Sequence, residues 1–113
     1  MVENIRYNDS TSFHLHLLSK VVDMDKYPLI KLIIDTGLSK DECNELLKLL
    51  HSLNIQYETQ KEEGFLDYTS LLLHFVGMLN EKLEPAKTIY ALKKEGYYPS
   101  LIREFVILIE KYD

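Results

Sequence analysis

A long amphipathic segment near the middle of the chain does most to restrict the fold. It begins at Ser39, a favourable helix N-cap, and Glu42 three residues later completes the capping-box pattern. Apolar side chains then recur at spacings of three and four, at Cys43, Leu46, Leu50, Leu53 and Tyr57. This spacing predicts a helix over about residues 39–63, which packs its apolar seam against other helices.

The rest of the chain divides into further helical segments. Pro28 and Pro85 suit the first turn of a helix, and Gly37 and Gly96 suit the left-handed position just after the last turn. Apolar spacing over residues 13–24 also favours a helix, although residues 13–17 alone alternate as a strand does. We predict an all-α fold, a multi-helical array of five or six helices in a single domain over residues 1–113, with the 39–63 helix at its centre.

Composition restricts the kind of protein this is. The net charge is −5, and an acidic surface opposes binding to phosphate backbones. The single cysteine excludes an intramolecular disulfide and zinc sites built on several thiolates. Glu3 and Asp9 stand where a signal peptide carries positive charge, and no apolar stretch reaches the roughly 20 residues that span a bilayer. We expect a cytoplasmic protein with no membrane contact.

The histidines and aspartates do not follow a metal-binding pattern. On a helix His14 and His16 point about 200° apart, so they do not share one ion. The sequence around Asp23 opens like a calcium loop, but its sixth and twelfth positions hold Pro28 and Ile34 in place of Gly and Glu. We expect no metal and no cofactor.

Enzymatic motifs are also missing from the sequence. Cys43 falls in an acidic helical turn and on the apolar seam, which favours a core residue over a nucleophile. Ser-His-Asp patterns, Gly-rich phosphate loops and dinucleotide fingerprints do not occur. We therefore expect a non-enzymatic protein; an enzyme with a site between subunits, using His74 and tyrosines, is a weaker hypothesis.

The main alternative is a DNA-binding regulator. Residues 29–54 have the rhythm of a helix-turn-helix, with residues 36–39 as the turn, and residues 55–68 would then form a two-stranded wing. The supposed recognition helix carries Lys40 and Lys48 against three carboxylates and has no Arg, which is unfavourable for contacting bases and phosphates. The uninterrupted seam also favours one helix through residues 55–63, so nucleic acid is not the partner we expect first.

Two segments are more apolar than one face of a surface helix requires. Residues 71–79 and 106–109 are apolar nearly all round, and such helices need to be covered on all sides. We therefore predict a homo-oligomer that acts through protein–protein interaction. In the stretch LLLHFVGMLNEKLEP, a glycine inside a helix indicates a close helix crossing, in the same chain or in a partner. The candidate packing or oligomer contact comprises His74, Phe75, Gly77 and Met78.

The order of these segments resembles a known family. The pieces VVDMDKYPLIKLIIDTGLSKDE, TQKEEGF and LLHFVGMLNEKLEPAKTIYALKKEGYYPSLIREF are similar to the YhaI-like family, small uncharacterised proteins of Bacillus and its relatives. The resemblance covers the chain from Val21 onward. It implies an all-α fold that self-associates, and it implies no activity and no catalytic or binding residues.

Overall fold

Six helices make up the fold. The computed structural model describes the backbone of residues 2–112 and the side chains of residues 10–23 and 25–112. The helices are α1 (Val2–Val21), α2 (Pro28–Thr36), α3 (Lys40–Glu62), α4 (Thr69–Met78), α5 (Pro85–Glu95) and α6 (Pro99–Tyr112), with a short 3-10 turn at Met24–Lys26. Over residues 2–112 there is no strand. The all-α prediction is therefore confirmed. The side chains of Glu3 and Asp9, which bear on the signal-peptide argument, lie outside the described part.

The central helix α3 begins as its sequence predicts. The Glu42 backbone N–H donates to the Ser39 hydroxyl at 3.1 Å, and the Ser39 N–H donates to the Glu42 carboxylate at 2.9 Å. The helix then continues without a break to Glu62. The wing of the DNA-binding alternative is therefore wrong, because residues 55–62 are helical and residues 63–68 form a turn and loop. The continuous seam outweighs the polar, turn-like composition of that segment.

The buried side chains form one contiguous cluster. α3 packs on α4, α4 on α6, α6 on α5, and α5 on α2. The rings of Phe75 and Phe105 lie 5.7 Å apart where α4 meets α6. The fully buried large apolar side chains come from α3, α4, α5 and α6, and are Leu50, Leu53, Leu71, Phe75, Ile89, Leu92, Leu101, Ile102 and Phe105.

The contact between α2 and α5 includes a helix cap from a distant residue. The backbone N–H groups of Leu29 and Ile30, in the first turn of α2, donate to the carboxylate of Glu95 at the end of α5. The side chain of Tyr27, the residue before α2, does not cap these groups. Glu95 therefore satisfies free N–H groups of α2 and places a negative charge at the positive end of its dipole.

A second polar contact joins the start of α3 to the turn between α4 and α5. Besides the Ser39 N–H, the Glu42 carboxylate accepts from Lys82 Nζ at 2.7 Å and from Asn80 Nδ2 at 2.8 Å. The hydrogen bond from Lys82, followed by those from Ser39 and Asn80, lowers the pKa of Glu42 from 4.5 to about 2. Glu42, which completes the capping box of α3, thus also holds the turn between α4 and α5 in place.

The molecule is elongated. Its principal extents are 57 × 29 × 22 Å and its radius of gyration is 16.9 Å, whereas a compact chain of this length has a radius of gyration of about 13 Å. From Ser10 to Val21 every side chain of α1 is exposed, so this part of α1 lies outside the packed cluster.

Replacing Glu95 by Ala should destabilise the fold. The change removes the acceptor for two N–H groups of α2, and losing a helix cap costs about 1 kcal/mol. Urea unfolding at one fixed protein concentration measures the effect. Glu81→Ala, an exposed glutamate outside any helix cap, is the matched control. Equal unfolding midpoints for the two variants would show that the Glu95 cap contributes nothing.

Glu42 should make stability depend on pH in the acid range. Its pKa is lower in the folded protein, so its contribution is complete above pH 4.5 and is lost as the pH falls through about 2. Thermal melts of the native protein and Glu42→Gln should therefore differ most above pH 4.5 and converge towards pH 2. Glu45→Gln, one turn further along α3, is the control. A difference that stays constant over this range would contradict the role of the Glu42 carboxylate.

Candidate interaction surface

The described side chains of α1 are exposed without exception. From Ser10 to Val21 every side chain is exposed, from 42% at Leu17 to 57% at Phe13 and 79% at Val21 among the large apolar ones. Six large apolar side chains lie in this region, at Phe13, Leu15, Leu17, Leu18, Val21 and Val22. Single exposed apolar residues are ordinary, but a run of six on one element marks an interaction surface.

The apolar residues of α1 form two adjacent ridges. At about 100° per residue, Phe13, Leu17 and Val21 line one side of the helix. The remaining three, Leu15, Leu18 and Val22 just after the helix, lie beyond His14 on the adjacent side, and the two ridges together span about 200°. A helix that packs on one surface needs only about 100° of apolar face. α1 therefore presents enough apolar surface for two neighbours.

Water alone is a poor environment for such a helix. Ser10, Thr11 and Ser12 are weak helix formers, and His14, His16 and the two valines near its end are little better. Most helices in proteins are held by tertiary packing of an apolar face, not by helix propensity. The helical state of α1 thus calls for a covering surface that the rest of the chain does not provide.

α3 offers a second uncovered stripe, opposite its buried seam. Leu47 and Ile55 are exposed there, with His51 midway between them. These side chains and their neighbours line a shallow depression of about 600 Å³, formed by Asn44, Leu47, Lys48, His51, Ser52, Ile55 and Gln56. The spacing of three and four places all of them on one face of α3, which we call the outer stripe.

His51 in the outer stripe is held by Tyr98. The Tyr98 hydroxyl lies 3.4 Å from His51 Nδ1, and the two rings are 6.4 Å apart. Tyr98 itself adopts a φ of 42°, in the left-handed region that residues other than Gly seldom occupy. The imidazole therefore has a polar partner within the chain, which lowers the cost of covering it.

The structure separates the four residues predicted as a packing or oligomer contact. Phe75 is fully buried and belongs to the core, whereas His74, Gly77 and Met78 are exposed on α4. Among the described residues, no atom outside the local helix backbone lies within 4 Å of an ideal Cβ at Gly77. The close helix crossing is therefore not made within the chain. The prediction of a contact with a partner stays a prediction.

A polar groove lies between α2 and α5. It has a volume of about 760 Å³ and is lined by charged residues of both signs, Asp25, Lys31, Asp35, Lys87 and Lys94. Its lining carries three Lys and two Asp, together with apolar residues such as Leu32 and Ala91. Among the described residues, no hydrogen bond orients these Lys and Asp side chains in a way that would mark the groove as a binding site.

Two tyrosines pack together at the far end of α3. The rings of Tyr57 and Tyr68 lie 4.9 Å apart, and the Tyr68 hydroxyl donates to the Phe65 carbonyl at 2.7 Å. Burial, with the nearby Glu104 carboxylate, raises the pKa of Tyr57, and burial also raises the pKa of Tyr68. Both phenols therefore stay protonated at neutral pH and serve packing.

The described residues contain neither a cluster suited to a metal ion nor a helix that could cross a membrane. In the described part of the chain, no three His, Cys, Asp or Glu side chains converge to hold a metal ion. Cys43 is half-buried against the core. Of the helices described, none combines the length and the apolar character that crossing a bilayer requires.

Sequence reasoning missed both α1 and the outer stripe as surfaces. It predicted α1 only as a helix, and it considered α3 only for its buried seam. The signal was present, because Leu47 and Ile55 are apolar residues that do not fit the Leu46–Leu50–Leu53 seam. A helical wheel drawn for each segment separately would have shown two apolar faces on α3.

Gly77→Ala should stabilise the isolated chain. Gly77 is helical and an added Cβ meets open space, so Ala gains up to about 1 kcal/mol from helix propensity. Gly96→Ala is the contrasting control, because Gly96 has a φ of 80° and Ala is strained there. Chemical unfolding of dilute protein measures both. Destabilisation by Gly77→Ala would mean that a partner covers this position closely.

A known protein family matches this chain over most of its length. A family model described as "Protein of unknown function (DUF1878)" matches residues 4–110. This range includes α2 to α5 entirely and nearly all of α1 and α6. That description names no activity, so the family assigns no catalytic or binding residue to this chain. Because the match covers almost the whole sequence, the protein belongs to the DUF1878 family.

Proposed function

We propose that this protein is a non-enzymatic cytoplasmic protein that self-associates and acts through protein–protein interaction. We further propose that it is of the YhaI-like kind, on the basis of the sequence resemblance described above. The observation that carries the proposal is that every described side chain of α1, from Ser10 to Val21, is exposed. An apolar helix without a covering surface in its own chain needs one from another molecule.

The size of the apolar surface favours a symmetric pair. Burying a large apolar side chain fully is worth about 1.5–3 kcal/mol, so six that are about half-exposed gain about 6 kcal/mol per α1. Association costs roughly 4–15 kcal/mol, which a single α1 barely offsets. In a two-fold dimer both copies of α1 are covered while this cost arises once. A second copy of the chain is therefore a more economical partner than an unrelated protein.

The charge supports a protein partner over a nucleic acid. The chain carries −5 overall, and Lys48 is the only charged residue that lines the depression of the outer stripe. Phosphate binding depends on several Lys or Arg acting together. The apolar character of α1 supports contact with another apolar surface.

Sedimentation velocity over a range of protein concentrations tests self-association. The expected result is a species of twice the 13.3 kDa chain mass that dissociates on dilution. A single 13.3 kDa species even at high concentration would contradict the proposal. A far-UV circular dichroism spectrum of each sample checks that the chain is folded.

Leu18→Asp should weaken the dimer while leaving the fold intact. Leu18 is 55% exposed in the single chain, so a carboxylate there is harmless until α1 is covered. Two carboxylates enter a two-fold interface, so we expect the dissociation constant to rise at least about a hundredfold. Ser12→Asp, on the polar side of α1, is the matched control. Equal dissociation constants for the two variants would exclude α1 from the interface.

A further inference from the structure

The structure points to a specific binding surface for α1. We propose that α1 of one copy docks on the outer stripe of α3 in a second copy, and that the two α1 helices also contact each other. The result is a four-helix layer of two α1 and two α3 helices at the centre of the dimer. The proposal rests on the self-association proposed above and adds which surfaces meet.

The two surfaces match in spacing and length. Phe13, Leu17 and Val21 form a ridge in steps of four residues along α1, and Leu47, His51 and Ile55 form a ridge in the same steps along α3. At 1.5 Å per residue each ridge is about 12 Å long. Ridges of this kind interdigitate in the commonest class of helix packing.

Other exposed apolar faces are too short for α1. On α4 the exposed large apolar residues run only from Leu73 to Met78, which is about 7 Å of helix. On α2 they run from Ile30 to Ile34, about 6 Å. Apart from α1 itself, the outer stripe is the longest of these faces among the described residues.

The width of the apolar arc requires a second neighbour. Docking on α3 covers the ridge of Phe13, Leu17 and Val21, and it leaves the ridge of Leu15, Leu18 and Val22 open. In a two-fold arrangement the partner's α1 lies beside the first, because each α1 crosses to the opposite copy. Contact between the two α1 helices covers the second ridge.

A membrane surface is a poorer occupant of α1. Helices that lie on membranes carry several Lys or Arg on their polar side. In the described part of α1, the polar side holds Ser12, His16, Ser19 and Lys20, which is a single fixed positive charge, and the whole chain is acidic. The outer stripe, in contrast, supplies the exposed apolar side chains of Leu47 and Ile55 and is present in every copy.

Substitutions in the outer stripe test the contact in the full-length protein. Leu47→Asp and Ile55→Asp change exposed side chains of the single chain, so each variant should keep the native circular dichroism spectrum and unfold cooperatively. Sedimentation velocity should show that each raises the dimer dissociation constant at least tenfold. Leu73→Asp is the matched control, an exposed leucine on α4 that should leave dissociation unchanged.

A charge pair between two variants keeps the test valid if one of these substitutions disturbs the fold. Leu17 and His51 are the central residues of the two ridges, so they meet whether the helices run parallel or antiparallel. Leu17→Lys and His51→Glu should each dimerise more weakly alone. An equal mixture should form heterodimers more tightly than either variant forms homodimers, measured with one variant fluorescently labelled.

The outcomes separate this inference from the proposed function. Dimeric native protein that Leu47→Asp and Ile55→Asp dissociate, with the charge pair restoring association, supports both. Dimeric native protein that neither variant affects overturns the α1–α3 contact and leaves self-association standing, and dissociation by Leu73→Asp alone moves the interface to α4. Monomeric native protein overturns both. Monomeric protein that floats with phosphatidylcholine–phosphatidylglycerol vesicles assigns α1 to a lipid surface and overturns the inference as well.

Discussion

The inner seam of α3 is the contact on which the other helices depend. Leu46, Leu50, Leu53 and Tyr57 are buried along one side of a helix that spans the packed part of the molecule. α4 lies directly on this helix, and through the rings of Phe75 and Phe105 it carries α6, which in turn holds α5 and α2. A break in the seam would remove the surface that orients the whole chain of contacts.

Local signals let the sequence predict most of the secondary structure. The capping box at Ser39 and Glu42, the prolines at the first turns of α2 and α5, and the glycines at 37 and 96 act within a few residues of where they stand. Such signals work because helix ends expose N–H and carbonyl groups that neighbouring residues satisfy. The bounds of α3 follow from the sequence to within a residue or two for this reason.

Contacts between distant residues did not follow from the sequence. Nothing near Glu95 indicates that its carboxylate meets the first turn of α2, and nothing near Glu42 indicates Asn80 or Lys82. Gly77 does lower helix propensity, but the helix expected to cross close to it is not found among the described residues. In α1 the periodicity predicted a helix, while burial depends on whether the connection to α2 folds it back, which periodicity does not encode.

The cap that Glu95 provides also bears on the order in which the helices form. A cap drawn from the adjacent residue is available as soon as its own segment exists, whereas α2 depends on an acceptor 66 residues further along the chain. Closing so long a loop costs conformational entropy before the contact gives anything back. During synthesis from the N-terminus, α2 leaves the ribosome well before α5 and lacks its cap in the meantime. The second helix in sequence is therefore among the last to become secure.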